Sequence, residues 1–168
     1  MASAPTYTPI ATQTLGTATG SITFSSIPST YTDLRLVVTG KTSDSSGYFN
    51  IYINGDSSNT WYSRTYLYGN GSSAGSNRSS NTASGLQMNC ATSSMTVNDW
   101  PVFTDFMNYA NTSIYKTALA RSGNAATQTE AWAWLYRSTS AISSLVIQAN
   151  TNSWAAGSTF TLYGIASA

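Results

Sequence analysis

Hydrophobic and polar positions alternate along most of the chain with a period of two. In the stretch 33–39, Leu34, Leu36 and Val38 fall on one side and Arg35 and Val37 on the other. Successive side chains of a strand point to opposite faces, so this pattern predicts a strand with one covered face. The same reading places strands at 7–15, 21–27, 48–53, 61–68, 86–88, 95–97, 102–109, 113–121, 130–137, 142–149 and 158–165. Pro9 keeps the first segment extended and Pro28 ends the second. In the stretch 48–53, Phe49, Ile51 and Ile53 share a face. Asn54-Gly55 is a tight-turn pair, since both residues tolerate positive φ. The stretch 69–85 is almost entirely Gly, Ser, Asn, Ala and Thr, which predicts a long loop with no core-forming content. No sustained 3.6-residue period marks a helix. Many short strands in one chain predict an all-β, antiparallel β-sandwich of jelly-roll type with about ten strands. Residues 10–168 form this single domain, and residues 1–9 are an extended N-terminal arm.

Composition supports a folded β-domain over a disordered linker. Only 8% of the 168 residues are charged, against about 25% in an average globular protein. The 28 Ser and 25 Thr supply a neutral polar surface instead. Low charge with many small polar residues also describes disordered linkers. Yet 21 residues are Phe, Trp or Tyr, which bury large areas and favour strands, as Thr also does. The two Lys and five Arg are scattered and the net charge is +1. This argues against nucleic acid or an anionic membrane as partner, because phosphate binding needs clustered cations. No apolar run approaches the roughly 18 residues of a membrane helix. No basic, apolar signal segment opens the sequence, so the expectation is a protein made in a cytoplasm that does not use the usual secretion signal. The sequons at Asn70, Asn77 and Asn111 carry little weight without one.

The chemistry available is narrow. With no histidine, Ser-His-Asp, Cys-His and His-ligated metal sites are excluded. The glycine-rich stretch 69–85 lacks the Lys of a phosphate-binding loop. Glycoside cleavage needs two carboxyl groups across a cleft. The acids are Asp33, Asp44, Asp56, Asp99, Asp105 and Glu130, and the first four shape turns through side chain to backbone bonds. Asp44 and Asp56 could ligate calcium with loop carbonyls, although such sites usually gather more carboxylates. Cys90 lies between Asn89 and Ala91 with no adjacent cation to activate it, so it reads as a small buried residue. No catalytic residue, cofactor or metal is expected.

Two same-face aromatic stripes stand out: Tyr62, Tyr66 and Tyr68, and Trp132, Trp134 and Tyr136 opposite Ala131 and Ala133. Large rings on one face are covered by a core or a subunit interface, or they stack on sugar rings. With Tyr7 and Pro9 of the arm, these six residues are the candidate interface.

Several ordered segments carry a family likeness. They are Tyr7-Thr-Pro-Ile-Ala-Thr-Gln-Thr-Leu15, Ser21-Ile-Thr-Phe-Ser-Ser-Ile-Pro28 and Tyr31-Thr-Asp-Leu-Arg-Leu-Val-Val38. Met107-Asn-Tyr-Ala-Asn-Thr112, Tyr115-Lys-Thr117 and Ala156-Gly-Ser-Thr-Phe-Thr-Leu-Tyr-Gly-Ile165 follow. Together the chain resembles small virion structural proteins of tailed bacteriophages, especially of marine and freshwater hosts. The resemblance implies a capsid decoration (cement) protein on the outer capsid surface. It would bind the major capsid protein or other virion proteins, as a homotrimer, and reinforce the shell. It would not be an enzyme. The alternative it implies is a tail-fibre or appendage domain that binds host surface glycan.

Overall fold

The alternation read from the sequence is the alternation of burial. In the computed structural model, which describes residues 6–43, 47–57, 61–90 and 100–166, Leu34, Leu36 and Val38 are buried and their neighbours are not. The expected strand at 95–97 lies outside the described residues, as do Asp44 and Asp99.

Twelve strands follow in chain order: β1 Tyr7–Thr14, β2 Ser21–Phe24, β3 Asp33–Thr39, β4 Tyr48–Ile53, β5 Tyr62–Gly69 and β6 Ala74–Thr82. Then come β7 Leu86–Asn89, β8 Val102–Met107, β9 Lys116–Asn124, β10 Gln128–Tyr136, β11 Leu145–Ala149 and β12 Thr159–Ile165. They form two antiparallel sheets. The larger has eight strands in the order β1-β12-β3-β8-β9-β10-β5-β6, the smaller four in the order β2-β11-β4-β7.

Within this arrangement sits a jelly roll. The quartets β1-β12-β3-β8 and β2-β11-β4-β7 are its two facing sheets, with the chain passing between them at β1–β2, β2–β3, β3–β4, β7–β8, from β8 to β11, and at β11–β12. Two hairpins, β5–β6 and β9–β10, are inserted into that path, and both pair onto the β8 side of the large sheet. The jelly-roll expectation therefore holds, with four strands added along one edge.

The core lies between the sheets. Ile22, Phe24, Phe49, Ile51, Ile53, Leu86, Met88, Leu145 and Ile147 face it from the small sheet. Leu34, Leu36, Val38, Val102, Phe106, Phe160 and Leu162 meet them from the large one. Trp154, fully buried, packs between Phe49 and Phe160, with ring centroids 5.0 and 4.9 Å away. Cys90 is a buried thiol of this core.

One local expectation is corrected and one is met. The stretch 69–85 is not a loop throughout: residues 74–82 form β6, paired with β5. Its side chains are exposed or half-buried on both faces, so no apolar alternation could announce it. Asn54-Gly55 does turn tightly, with φ values of 54° and 70° and the Asp56 amide donating to the Ile53 carbonyl at 3.0 Å. The turn sends the chain from β4 in the small sheet to β5 in the large one.

Of the expected arm, residues 7–9 belong to β1 and pair with β12, and residues 1–5 lie outside the described residues. The Tyr7 ring meets Tyr163 edge-on at 6.4 Å and lies under the Arg35 guanidinium at 5.3 Å.

Candidate functional site

The two aromatic stripes come from adjacent strands. β10 pairs with β5 so that Tyr136 lies opposite Tyr62 and Trp132 opposite Tyr66. All six rings point to the inner face. Tyr62, Trp132, Trp134 and Tyr136 are each at most 5% exposed, and Tyr66 and Tyr68 are half-buried. The rings stack into a ladder, with centroid separations of 4.1 Å for Tyr66–Trp132, 5.4 Å for Trp132–Trp134 and 4.9 Å for Tyr62–Tyr136. Tyr62, Trp132, Trp134 and Tyr136 are core, and Tyr66 packs half-buried against them. The faces of the four buried rings are closed to a sugar, while Tyr66 and Tyr68 keep part of their surface. Of the eight candidate interface residues, Tyr7 and Pro9 are exposed, both on the outermost strand β1, and Tyr66 and Tyr68 are half-buried.

Polar groups close the ladder. Glu130 is buried, and its carboxylate accepts from four side chains: Asn89, Gln128 at 2.5 Å, and Ser122 and Trp132 at 3.0 Å each. A buried carboxylate is costly unless its lone pairs are filled, and here each oxygen has two donors. Arg64 lies 5.8 and 5.9 Å from the Trp132 and Trp134 ring centroids and donates to Gln87. Burial pushes its pKa below the ordinary guanidinium value. Gln87 and Asn89 belong to β7, the last strand of the small sheet, so a polar seam joins the small sheet to the inserted hairpins.

At the other end of the ladder, the Tyr62 hydroxyl accepts from the Ile53 amide at 3.0 Å and donates to the Asp56 carbonyl at 2.8 Å. Tyr136 donates to the Asp56 carboxylate at 3.1 Å. Beside it, the ammonium of buried Lys116 donates to the carbonyls of Asn111, Ile114 and Thr139 at 2.5, 2.8 and 3.0 Å. Burial lowers its pKa. It clamps two loops and lies open to no cleft.

The outer face of the large sheet is different. Phe103, Leu119 and Leu67 are 38%, 52% and 60% exposed on β8, β9 and β5. Arg35 and Asp105 are cross-strand neighbours joined by two hydrogen bonds of 2.6 and 2.8 Å, which cancels their charges and raises the Arg35 pKa further. Arg121, on β9 opposite Phe103, has a guanidinium with no hydrogen-bond or ion-pair partner among the described residues. It lines a shallow groove of about 480 Å³ with Phe103, Arg35 and the β9–β10 hairpin. Gly123 shapes that hairpin: its φ is +153°, and a Cβ there would stand 2.7 Å from the Gln128 carbonyl oxygen. A second depression of about 250 Å³, bordered by Arg121 and Leu67, continues the first. A third, of about 360 Å³, lies between Ser63, Thr65, Arg78 and Arg137. Sequence reasoning missed this face, because arginines 43 and 59 positions apart in sequence show no cluster until the strands are paired. The gaps run from Arg78 to Arg121 and from Arg78 to Arg137.

Among the described residues, no three Asp, Glu or Cys side chains gather as metal ligands, and no helix is long and apolar enough to cross a membrane. Compared with known proteins, the chain matches no family model, no curated protein and no solved structure.

Proposed function

We propose that this chain is a structural protein of a tailed-bacteriophage particle, a decoration protein that docks as a homotrimer on the major capsid shell and reinforces it. The observation that carries the reading is the state of the large sheet's β1 edge. Tyr7, 45% exposed, and Pro9 stand on the outermost strand, whose far side has no partner among the described residues. An open edge can accept a strand from a neighbouring protein, with main-chain bonds giving affinity and side chains giving specificity. β1 is also the strand that residues 1–5 lead into.

Two further points support this reading. The segments that resemble virion proteins include β1 and its partner β12. In addition, the acids are spent structurally: Glu130 and Asp105 are bound to neighbouring side chains and Asp56 to Tyr136, which leaves no pair of carboxyl groups facing a cleft among the described residues. Copy number in purified virions, measured against the major capsid protein, tests the proposal. Hundreds of copies at a fixed ratio to that protein are expected. A few tens of copies would overturn it and place the chain in the tail.

A further inference from the structure

The outer face of the inserted strands carries charge of one sign. Arg121 projects from β9, Arg78 from β6, and Arg137 follows the end of β10, with one guanidinium nitrogen donating to Ser63 at 2.7 Å. The register puts Arg121 beside Ala131 and Leu67, and Arg78 beside Thr65 and Ala133. Arg121 and Arg78 are thus three strand spacings apart, or about 14 Å across the sheet. No described carboxylate opposes them on these strands. Glu130 points inward and is buried, and Asp105, one strand further on, is already held by Arg35. In a chain of net charge +1, this gathering of three cations on one side of two hairpins is a local field of its own.

The surface between the cations is not flat. The three depressions described above follow one another across β8, β9, β10, β5 and β6, with Arg121 bordering the first two and Arg78 and Arg137 bordering the third. The 480 Å³ groove has a size suited to small organic ligands. Phe103 offers it a partly exposed ring face, and Ser63, Thr65 and Thr129 offer hydroxyl groups along the way. Spacing decides between polyanions. A nucleic acid strand carries one charge per nucleotide and is held by dense cations and several stacking rings. Here the cations are far apart, the hydroxyls between them are many, and Phe103 is the one exposed ring lining the depressions. A chain with a carboxylate on only some of its rings fits better.

We infer that the outer face of the inserted hairpins binds an acidic polysaccharide laid across the strands, with carboxylates on Arg121 and on the Arg78–Arg137 pair and a sugar ring against Phe103. Arg121 and the Arg78–Arg137 pair lie on the strands farthest from β1 in the large sheet, and the open β1 edge plays no part in the contacts proposed here. Calorimetric titration with polygalacturonate oligomers tests it. Binding is expected at low salt, weakening as salt rises, and absent for the fully methyl-esterified oligomers. Arg121→Gln and Phe103→Ala, each on an exposed side chain, should each weaken binding at least fivefold. The urea midpoint of each variant confirms that the fold is intact. Three results would overturn the inference: no binding, equal binding by the variants, or tighter binding of a single-stranded oligonucleotide or an acidic peptide than of the oligogalacturonate.

Discussion

Trp132 shows how far a single position could be read from the sequence. Alternation fixed its face, since Trp132, Trp134 and Tyr136 share a side and Ala131 and Ala133 take the other. What alternation could not fix is which face is covered, because most of the cover comes from residues far away in sequence. The groups that enclose Trp132 are Tyr66, Arg64 and the Glu130 carboxylate, itself held by Asn89. A large buried ring replaced by a methyl group loses its transfer energy and leaves a cavity, so Trp132→Ala should cost about 3–5 kcal/mol of stability. Urea denaturation of the variant measures this. A cost within a few tenths of a kcal/mol would mean that the ring faces solvent, and the ladder would return as a candidate sugar contact.

At the scale of elements, the strands that sequence reasoning located are those that bury a side. β3, β8, β9, β10, β11 and β12 each alternate buried and exposed positions, and each was legible. β6 was not, because it contains no large apolar residue and buries neither face. It exists by pairing with β5, at the free edge of the sheet. Edge strands usually carry guards such as Pro, Lys or bulges; β1 has Pro9 and an irregularity beside it, and β6 has Arg78 and a register shift. A strand held by main-chain bonds alone opens at low free-energy cost. Hydrogen exchange should therefore find the amides of β6 exchanging earliest among the strands of the large sheet, well before those of β9 and β10. Protection of β6 equal to that of β9 in the isolated chain would show that something besides β5 covers its edge.

The whole-molecule order of strands lay beyond sequence reading for a physical reason. A jelly roll closes by pairing β1 with β12 and β2 with β11, contacts between the two ends of the chain that no local signal encodes. The consequence is a fold that buries Tyr62, Tyr109 and Tyr136 from distant segments and half-buries Tyr52. Burial raises the pKa of Tyr52, Tyr62, Tyr109 and Tyr136, the last up to about 12. In the unfolded chain each returns to about 10. Above that pH the unfolded state binds fewer protons than the folded one, so stability falls as pH rises. Lys116 acts in the other sense: its folded pKa is lowered, so deprotonation favours the folded state as pH climbs toward the unfolded value. Four tyrosines outweigh one lysine. The urea midpoint should therefore hold steady through neutral pH and drop between about pH 10 and about pH 12, with tyrosinate absorbance rising together with unfolding. Tyr136→Phe, which removes one of the four titrating groups, should make that drop shallower once its lower starting stability is allowed for. A midpoint that stays level to about pH 12 would mean that these hydroxyls ionise as freely in the folded protein as in the unfolded chain, and that the sandwich does not enclose them.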